Sequence, residues 1–274
     1  MIKKAVDKIA EKWGVRLLET PPKKRSFTKD IVKNIAFRLG YEFAYIKNEE
    51  EEGDNEYEPH HTYATYSPWN VDKAFTESFE MMKEDTLVDV YRCYELWKLV
   101  EQTSKLDEGS IIEVGVWRGG TGALLAKSAS LHGIKDKVYL CDTFTGIVKT
   151  GDQDSDYSDG EHSDASKNAV EKLLFEDFKL NNVEILEGIF PEDTGAKVED
   201  VRFRLCHIDV DVYQSSKDTV DWIWDRLVPN GIIVFDDYGY VRTDGITRHV
   251  NEMMKDRDKM IFYNLNGHAI IVKL

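Results

Sequence analysis

Residues 111–122 read IIEVGVWRGGTG: an apolar run broken by one acid at Glu113, then glycines at 115, 119, 120 and 122. The run reads as a strand that turns through glycine into a helix. Such a turn lets a small molecule come close to backbone. A dinucleotide site would carry Gly-x-Gly-x-x-Gly, its second glycine admitting the pyrophosphate. Here Gly115 is followed two positions on by Trp117, whose indole would block that approach. The spacing Glu113-x-Gly115-x-x-x-Gly119 favours a nucleoside ligand that carries no phosphate.

Outward from this turn, short apolar runs alternate with amphipathic segments. Strands are expected at Ser110–Val114, Val138–Cys141, Val183–Glu187, Phe203–Ile208, Gly231–Phe235, Met260–Tyr263 and Ala269–Val272. Helices are expected at Gly120–His132, Ala165–Leu180, Ser215–Leu227 and Thr243–Lys255. Strict alternation implies a parallel sheet covered on both faces. Only NLNG separates the last two strands, too little for a crossover, so they should pair antiparallel. The fold class is therefore α/β: a Rossmann-like, seven-stranded sheet with an antiparallel terminal hairpin. Ligands of such sheets sit at the carboxyl ends of the strands.

The boundary is placed at 105/106, with a helical region 1–105 before the α/β domain 106–274. Apolar residues recur at helical spacing in Ile2–Trp13, Thr28–Leu39 and, most strongly, Thr86–Leu106. The acidic run NEEEEGDNEYEPHH (48–61) reads as a solvated loop. HTYATYSPWN (61–70) is richer in aromatics and is expected to pack, over a substrate mouth. The N-terminal region is the expected surface for homo-oligomers.

Composition narrows the partners. Of the 274 residues 42% are hydrophobic, enough for a substantial core. Against 36 Lys+Arg stand 51 Asp+Glu, a net charge of −15, so nucleic acid and anionic membrane are not expected partners. Cys93, Cys141 and Cys206 are odd in number and far apart, which reads as buried reduced thiols. The opening MIKKAVDKIAEKWGV is too charged for a signal peptide, and no apolar stretch approaches the ~20 residues of a membrane span. A cytoplasmic location is expected.

Polar groups collect where the strands should end. CDTFTG places Asp142 after the second strand, where a carboxylate can accept from both hydroxyls of a ribose. ILEGIF places Glu187 and Gly188 at the same rim. Three strand-end acids beside a glycine loop point to S-adenosylmethionine. The next strands carry HIDVDVY and VFDDYGY. On a strand, Asp209 and Asp211 would face one way; Asp236 and Asp237 would join them from the neighbour. Four carboxylates packed without a cation would repel one another, whereas a hard ion such as Mg²⁺ takes several carboxylate oxygens and keeps positions for substrate. His207 reads as a packed core histidine. A D-x-D pair also serves metal-dependent glycosyltransferases, but that leaves Glu113, Gly115 and Asp142 unexplained.

Six stretches in order, TLVDVYRCYEL, IIEVGVWRGGTG, CDTFTGI, EGIFPEDT, HIDVDVYQSSKDTV and VPNGIIVFDDYG, resemble the macrocin O-methyltransferases, metal-dependent sugar methyltransferases. The resemblance runs from about Thr86 to the C-terminus. It implies a class I methyltransferase fold using S-adenosylmethionine and Mg²⁺. It implies that Asp209, Asp236 and Asp237 hold metal and that Asp211 is the base. Thr86, Glu113, Gly115, Trp117, Asp142, Phe144, Glu187 and Gly188 would line the cofactor pocket.

The chain departs from the family after its second strand, where TFTGIVKTGDQDSDYSDGEHSD replaces the usual Ser-Phe-Glu-Gly-Leu-Pro pattern. Its acids (Asp152, Asp154, Asp156, Asp159) read as a solvated lid, with Glu161 and His162 as candidate acceptor contacts. The expected chemistry is metal-assisted deprotonation of a diol, with Asp211 taking the proton and the oxygen attacking the sulfonium methyl in line. A sugar within a glycoside is the leading acceptor and a catechol the runner-up. The non-enzyme alternative, a cofactor-binding scaffold without catalysis, leaves the acid quartet without a purpose.

Overall fold

The computed structural model describes residues 64–274. The helices expected at 2–13 and 28–39 and the acidic run 48–61 lie outside the described residues. Contacts group Tyr66–Leu274 into one compact unit.

Within it, α1 (Lys73–Met82) and α2 (Val90–Thr103) precede β1 (Ser110–Val114). Then follow α3 (Gly120–Leu131), β2 (Val138–Asp142), α4 (Lys167–Glu171), β3 (Val183–Glu187), β4 (Phe203–Ile208) and α5 (Tyr213–Ile223). The chain closes with β5 (Leu227–Phe235), α6 (Asp244–Met253), β6 (Lys259–Tyr263) and β7 (Ala269–Lys273). The seven strands lie in the order β3-β2-β1-β4-β5-β7-β6. β1 to β5 run parallel, and β7 pairs antiparallel with both β5 and β6, as the short connection demands. This is the class I methyltransferase fold.

Central strands β1 and β4 are buried at every position, so their residues are mostly apolar and the polar exceptions, Ser110, Glu113, Arg204 and His207, are buried with them. Alternate residues serve opposite cores. Ile111, Leu205 and Val234 face α1, α2 and α3, where Phe75, Met82, Leu96, Trp97, Leu124 and Leu125 pack. Ile112, Cys206 and Ile233 face α5 and α6, where Val220, Ile223, Ile246 and Val250 pack. All three cysteines are buried and free. Among the described residues no helix is long and apolar enough to cross a membrane.

Three expected helices begin or end elsewhere; that over 215–227 runs Tyr213–Ile223, and Leu227 already belongs to β5, expected only from Gly231. α2 starts at Val90 rather than Thr86, because Asp89 accepts from the N–H groups of Tyr91 (2.8 Å) and Arg92 (3.1 Å) as its N-cap. The helix expected over 165–180 is five α-helical residues followed by a π-helical turn, Lys172–Asp177. The wider turn still buries Leu173 and Leu174 against the core.

Candidate active site

At the carboxyl rim of β1 the glycine loop is built on left-handed backbone. Gly115 and Gly119 each have φ of +89°, and Trp117 has φ 48°. A β-carbon on Gly115 would lie 1.7 Å from the Asp209 carbonyl oxygen. The absent side chain thus lets the loop rest on the backbone of the acidic segment, a closer constraint than approach of a ligand alone.

Asp142 organises that loop. Its Oδ2 accepts from the N–H groups of Val116 (2.6 Å) and Trp117 (2.8 Å), and its Oδ1 from that of Phe144 (2.6 Å). Gly188 N–H donates to the Asp142 carbonyl at 2.9 Å. With Gly115 N–H donating to the Cys141 carbonyl at 2.9 Å, the ends of β1, β2 and β3 are tied together by hydrogen bonds at Gly115, Trp117, Asp142, Phe144 and Gly188. Thr86 flanks the glycine turn, since the adjacent Asp85 carbonyl accepts from Gly120 N–H at 3.0 Å. Glu113 lies beneath the turn, wholly buried, with Oε1 2.8 Å from His207 Nδ1 and Oε2 without a hydrogen-bond partner among the described residues. Glu187 points outward and pairs with Lys167 at 3.2 Å. Trp117 turns its indole N–H to Asp164 (2.8 Å), which also holds Arg118 (2.6 Å).

The acids meet differently from the strand reading. β4 stops at Ile208, and Asp211 has φ 62°, so Asp209 and Asp211 are not a same-face strand pair. Asp209 N–H extends the β1 ladder to Val114 O (2.9 Å), and Asp236 N–H extends that of β4 to Ile208 O (3.0 Å). Beyond Val210 the chain turns through a left-handed residue, and Asp211 N–H donates to Asp237 Oδ2 at 3.1 Å. Ligand atoms of Asp209, Asp236 and Asp237 lie within 4.8 Å of one another.

Electrostatics divides the quartet. Burial raises Asp209 and Asp237 well above the usual carboxylate range, and neighbouring carboxylates add to it. Burial also raises Asp211, opposed by His162 and the Tyr157 hydroxyl. Asp236 is the exception: burial opposes its charge, yet Arg92, His207 and His268 hold it below the usual range. His207 is buried as expected, and despite burial Asp236 and Glu113 push it up to about 10.

The segment expected to form a lid is tied to the rest of the domain by hydrogen bonds and ion pairs. Asp154 Oδ1 accepts from Tyr213 N–H (2.8 Å), Asp244 accepts from Ser155 N–H (3.1 Å), and Asp156 pairs with Arg242 (2.8 Å). Glu161 accepts from Ser158 N–H (2.9 Å), so it shapes the lid from within. His162 is near enough to Asp211 to favour its charged form, and its ring lies 5.9 Å from that of Tyr157. Arg242 stacks over Tyr157 at 4.8 Å. Sequence reasoning missed Tyr157, Arg92, Glu95 and His268. The alternation of Tyr157 with acids was the available sign for the first; nothing local marked the others.

A class I methyltransferase fold with a glycine turn and a cation-sized acid cluster at one rim defines the class. Residues 76–261 match the family model described as "Macrocin-O-methyltransferase (TylF)", and the chain belongs to that family. It is 30% identical over 140 residues to an 8-demethyl-8-(2,3-dimethoxy-alpha-L-rhamnosyl)-tetracenomycin-C 4'-O-methyltransferase of Streptomyces olivaceus (47% of this chain, 53% of that protein). It is 26% identical over 186 residues to a mycinamicin III 3''-O-methyltransferase of Micromonospora griseorubida (61% of this chain, 73% of that protein). The chain spans about half the length of the first of these relatives. Among solved structures, the O-methyltransferase NovP superposes with a TM-score of 0.59 at 22% identity, over 69% of this chain and 82% of its own. CalS11, a calicheamicin methyltransferase, gives 0.56 at 15% identity, over 76% and 94%.

Proposed function

We propose that the protein transfers a methyl group from S-adenosylmethionine to a hydroxyl of a sugar within a glycoside, with Mg²⁺ bound by Asp209, Asp236 and Asp237. The observation that carries this is the contact of the glycine turn with the acidic segment, Gly115 against the Asp209 carbonyl. It sets a nucleoside rim and a cation-sized cluster side by side. The family membership and the sugar methyltransferases among the relatives supply the acceptor class.

The residues fit both groups. Asp142 uses three of its roughly four lone-pair sites on backbone N–H groups. It therefore fixes the turn first and offers the remaining site to a ribose hydroxyl. The acid cluster, destabilised by burial and mutual repulsion, is the donor set a hard divalent ion needs. Bound Mg²⁺ would supply Lewis-acid polarisation of two neighbouring acceptor oxygens. Asp211, at the outer end of the acidic segment and facing His162 and Tyr157 of the lid, takes the hydroxyl proton. Asp211 lies outside the cluster formed by Asp209, Asp236 and Asp237, so it is assigned to the acceptor rather than the ion. The lid excludes water from the methyl being transferred.

Full-length protein incubated with S-adenosylmethionine, Mg²⁺ and a panel of methyl rhamnosides, other glycosides and catechols tests this. S-adenosylhomocysteine should accumulate with glycosides and stop in EDTA. Turnover confined to catechols would move the acceptor class; turnover undiminished in EDTA would remove the metal.

A further inference from the structure

Asp236 has a protein partner on each carboxylate oxygen, and both partners come from outside the α/β crossovers. The Arg92 guanidinium binds Oδ2, and His268 Nε2 lies 3.0 Å from Oδ1. The Asp236 side chain is only 4% exposed. Arg92 is itself held, its Nε donating to Asp89 Oδ2 at 2.8 Å. His268 is held by Glu95, whose Oε2 lies 2.5 Å from its Nδ1. Residues 89, 92 and 95 are spaced three apart and so share one face at the start of α2. That face also grips the β6–β7 turn: Asn264 donates to Glu95 (2.6 Å) and Asn266 to Asp89 (3.1 Å). The helix and the hairpin turn thus converge on one carboxylate from two sides.

We propose that Arg92 and His268 are positioning residues of the cation site, fixing the orientation of the Asp236 carboxylate before an ion arrives. The inference rests on the cation reading given above. A carboxylate free to rotate would have to be ordered by the ion at the ion's expense; one already held on both oxygens keeps its remaining lone pairs aimed at the cluster. Outer partners of metal ligands commonly act in this way, and their loss typically costs about 10–100-fold in metal affinity. The guanidinium also repels a cation, so a purely electrostatic role predicts the opposite sign. If the pair only holds α2 to the sheet, cation affinity will not respond to it at all.

The test is Mg²⁺ titration by calorimetry on full-length protein saturated with S-adenosylhomocysteine. Arg92→Gln and His268→Leu should weaken Mg²⁺ binding by about 10–100-fold, with S-adenosylhomocysteine affinity and far-ultraviolet circular dichroism unchanged. His268→Gln, which returns an amide N–H near the lost Nε2, should recover most of the loss. Glu95→Gln, at a partly exposed position, should give an intermediate loss and covers the case in which Arg92→Gln does not fold. Folded variants that bind Mg²⁺ as tightly as wild type, or more tightly, overturn the proposal. Wild-type protein that takes up no Mg²⁺ overturns the cation reading and this inference together, and does so before any variant is made.

Discussion

The backbone N–H of Asp211 donates to Oδ2 of Asp237 at 3.1 Å, so the proposed base hangs from a proposed metal ligand by its main chain. Asp211 sits at φ 62°, in the left-handed region that asparagine tolerates well. Asp211→Asn should therefore keep the turn and lose only basicity. We expect kcat to fall by about 10²–10⁴, with S-adenosylhomocysteine and Mg²⁺ affinities unchanged by calorimetry. Full turnover in this variant would mean that Asp211 takes no proton.

The same bond separates the two flanking acids. Asp237→Ala removes a proposed metal ligand and also the acceptor that fixes Asp211, so its kcat should stay low at saturating Mg²⁺. Asp209→Asn removes charge from the cluster and leaves the Asp211 turn in place, so excess Mg²⁺ should restore much of its rate. Steady-state kinetics over a Mg²⁺ series gives both answers; identical rescue of the two would break the assignment.

Gly115→Val should damage both halves of the site. Its Cβ would meet the Asp209 carbonyl, and left-handed backbone costs a β-branched residue about 1–3 kcal/mol before any clash. Thermal melting should fall, and both S-adenosylhomocysteine and Mg²⁺ binding should be lost. Gly160→Ala is the control: φ is +90° but none of the described residues would come within 4 Å of the added Cβ, so about 1–2 kcal/mol of strain is the expected effect. A Gly115→Val protein with only the control's deficit would refute the coupling.

The strands were legible because most are short, mainly apolar runs bounded by a turn signal, and the hairpin because NLNG leaves one way to close it. The rim was legible for the same reason: strand ends place Gly115, Asp142 and Asp236 by count alone. What failed was the backbone beyond the last ladder bond. The period of two that puts Asp209 and Asp211 on one face applies only while the chain remains a strand, and β4 ends at Ile208. Asp154 and Asp156 looked solvated because their partners, the Tyr213 N–H and Arg242, lie 59 and 86 residues away. Arg92 and Asp236 are 144 apart, a separation no local pattern can carry.

The latched lid predicts a division between affinity and rate. Arg242 joins Asp156 and covers the Tyr157 ring, so Arg242→Gln should loosen the lid without touching the cofactor turn. KM for the glycoside should rise more than kcat falls. Tyr157→Phe keeps the ring beside His162 and removes the hydroxyl that faces Asp211, so it should shift the pH dependence of kcat with little change in KM. Equal effects of both variants on the two constants would make the segment a structural loop and no more.

His249 on α6 gives a signature in stability that is independent of the acceptor. Its ring is 5% exposed, lies 5.5 Å from Tyr213 and 5.8 Å from Phe235, and its Nδ1 is 2.5 Å from Ser216 Oγ. Burial, with Lys217 adding to it, pushes its pKa down to about 4 from an ordinary 6.5. Between those values the unfolded chain holds a proton that the native protein does not. Stability from this group is therefore complete above the unfolded value, falls as pH drops below it, and levels off below the folded one. Integrated from pH 7 to pH 5 the loss is about 2 kcal/mol. His207 and His268 work in the other direction, since their folded values are raised and their contribution is lost as pH rises. The total curve therefore mixes signs, and a difference isolates His249. Denaturant unfolding of wild type and His249→Gln at matched pH should show the wild-type advantage shrinking by about 2 kcal/mol from pH 7 to pH 5. A difference that stays constant over that range would mean that His249 titrates normally in the folded protein.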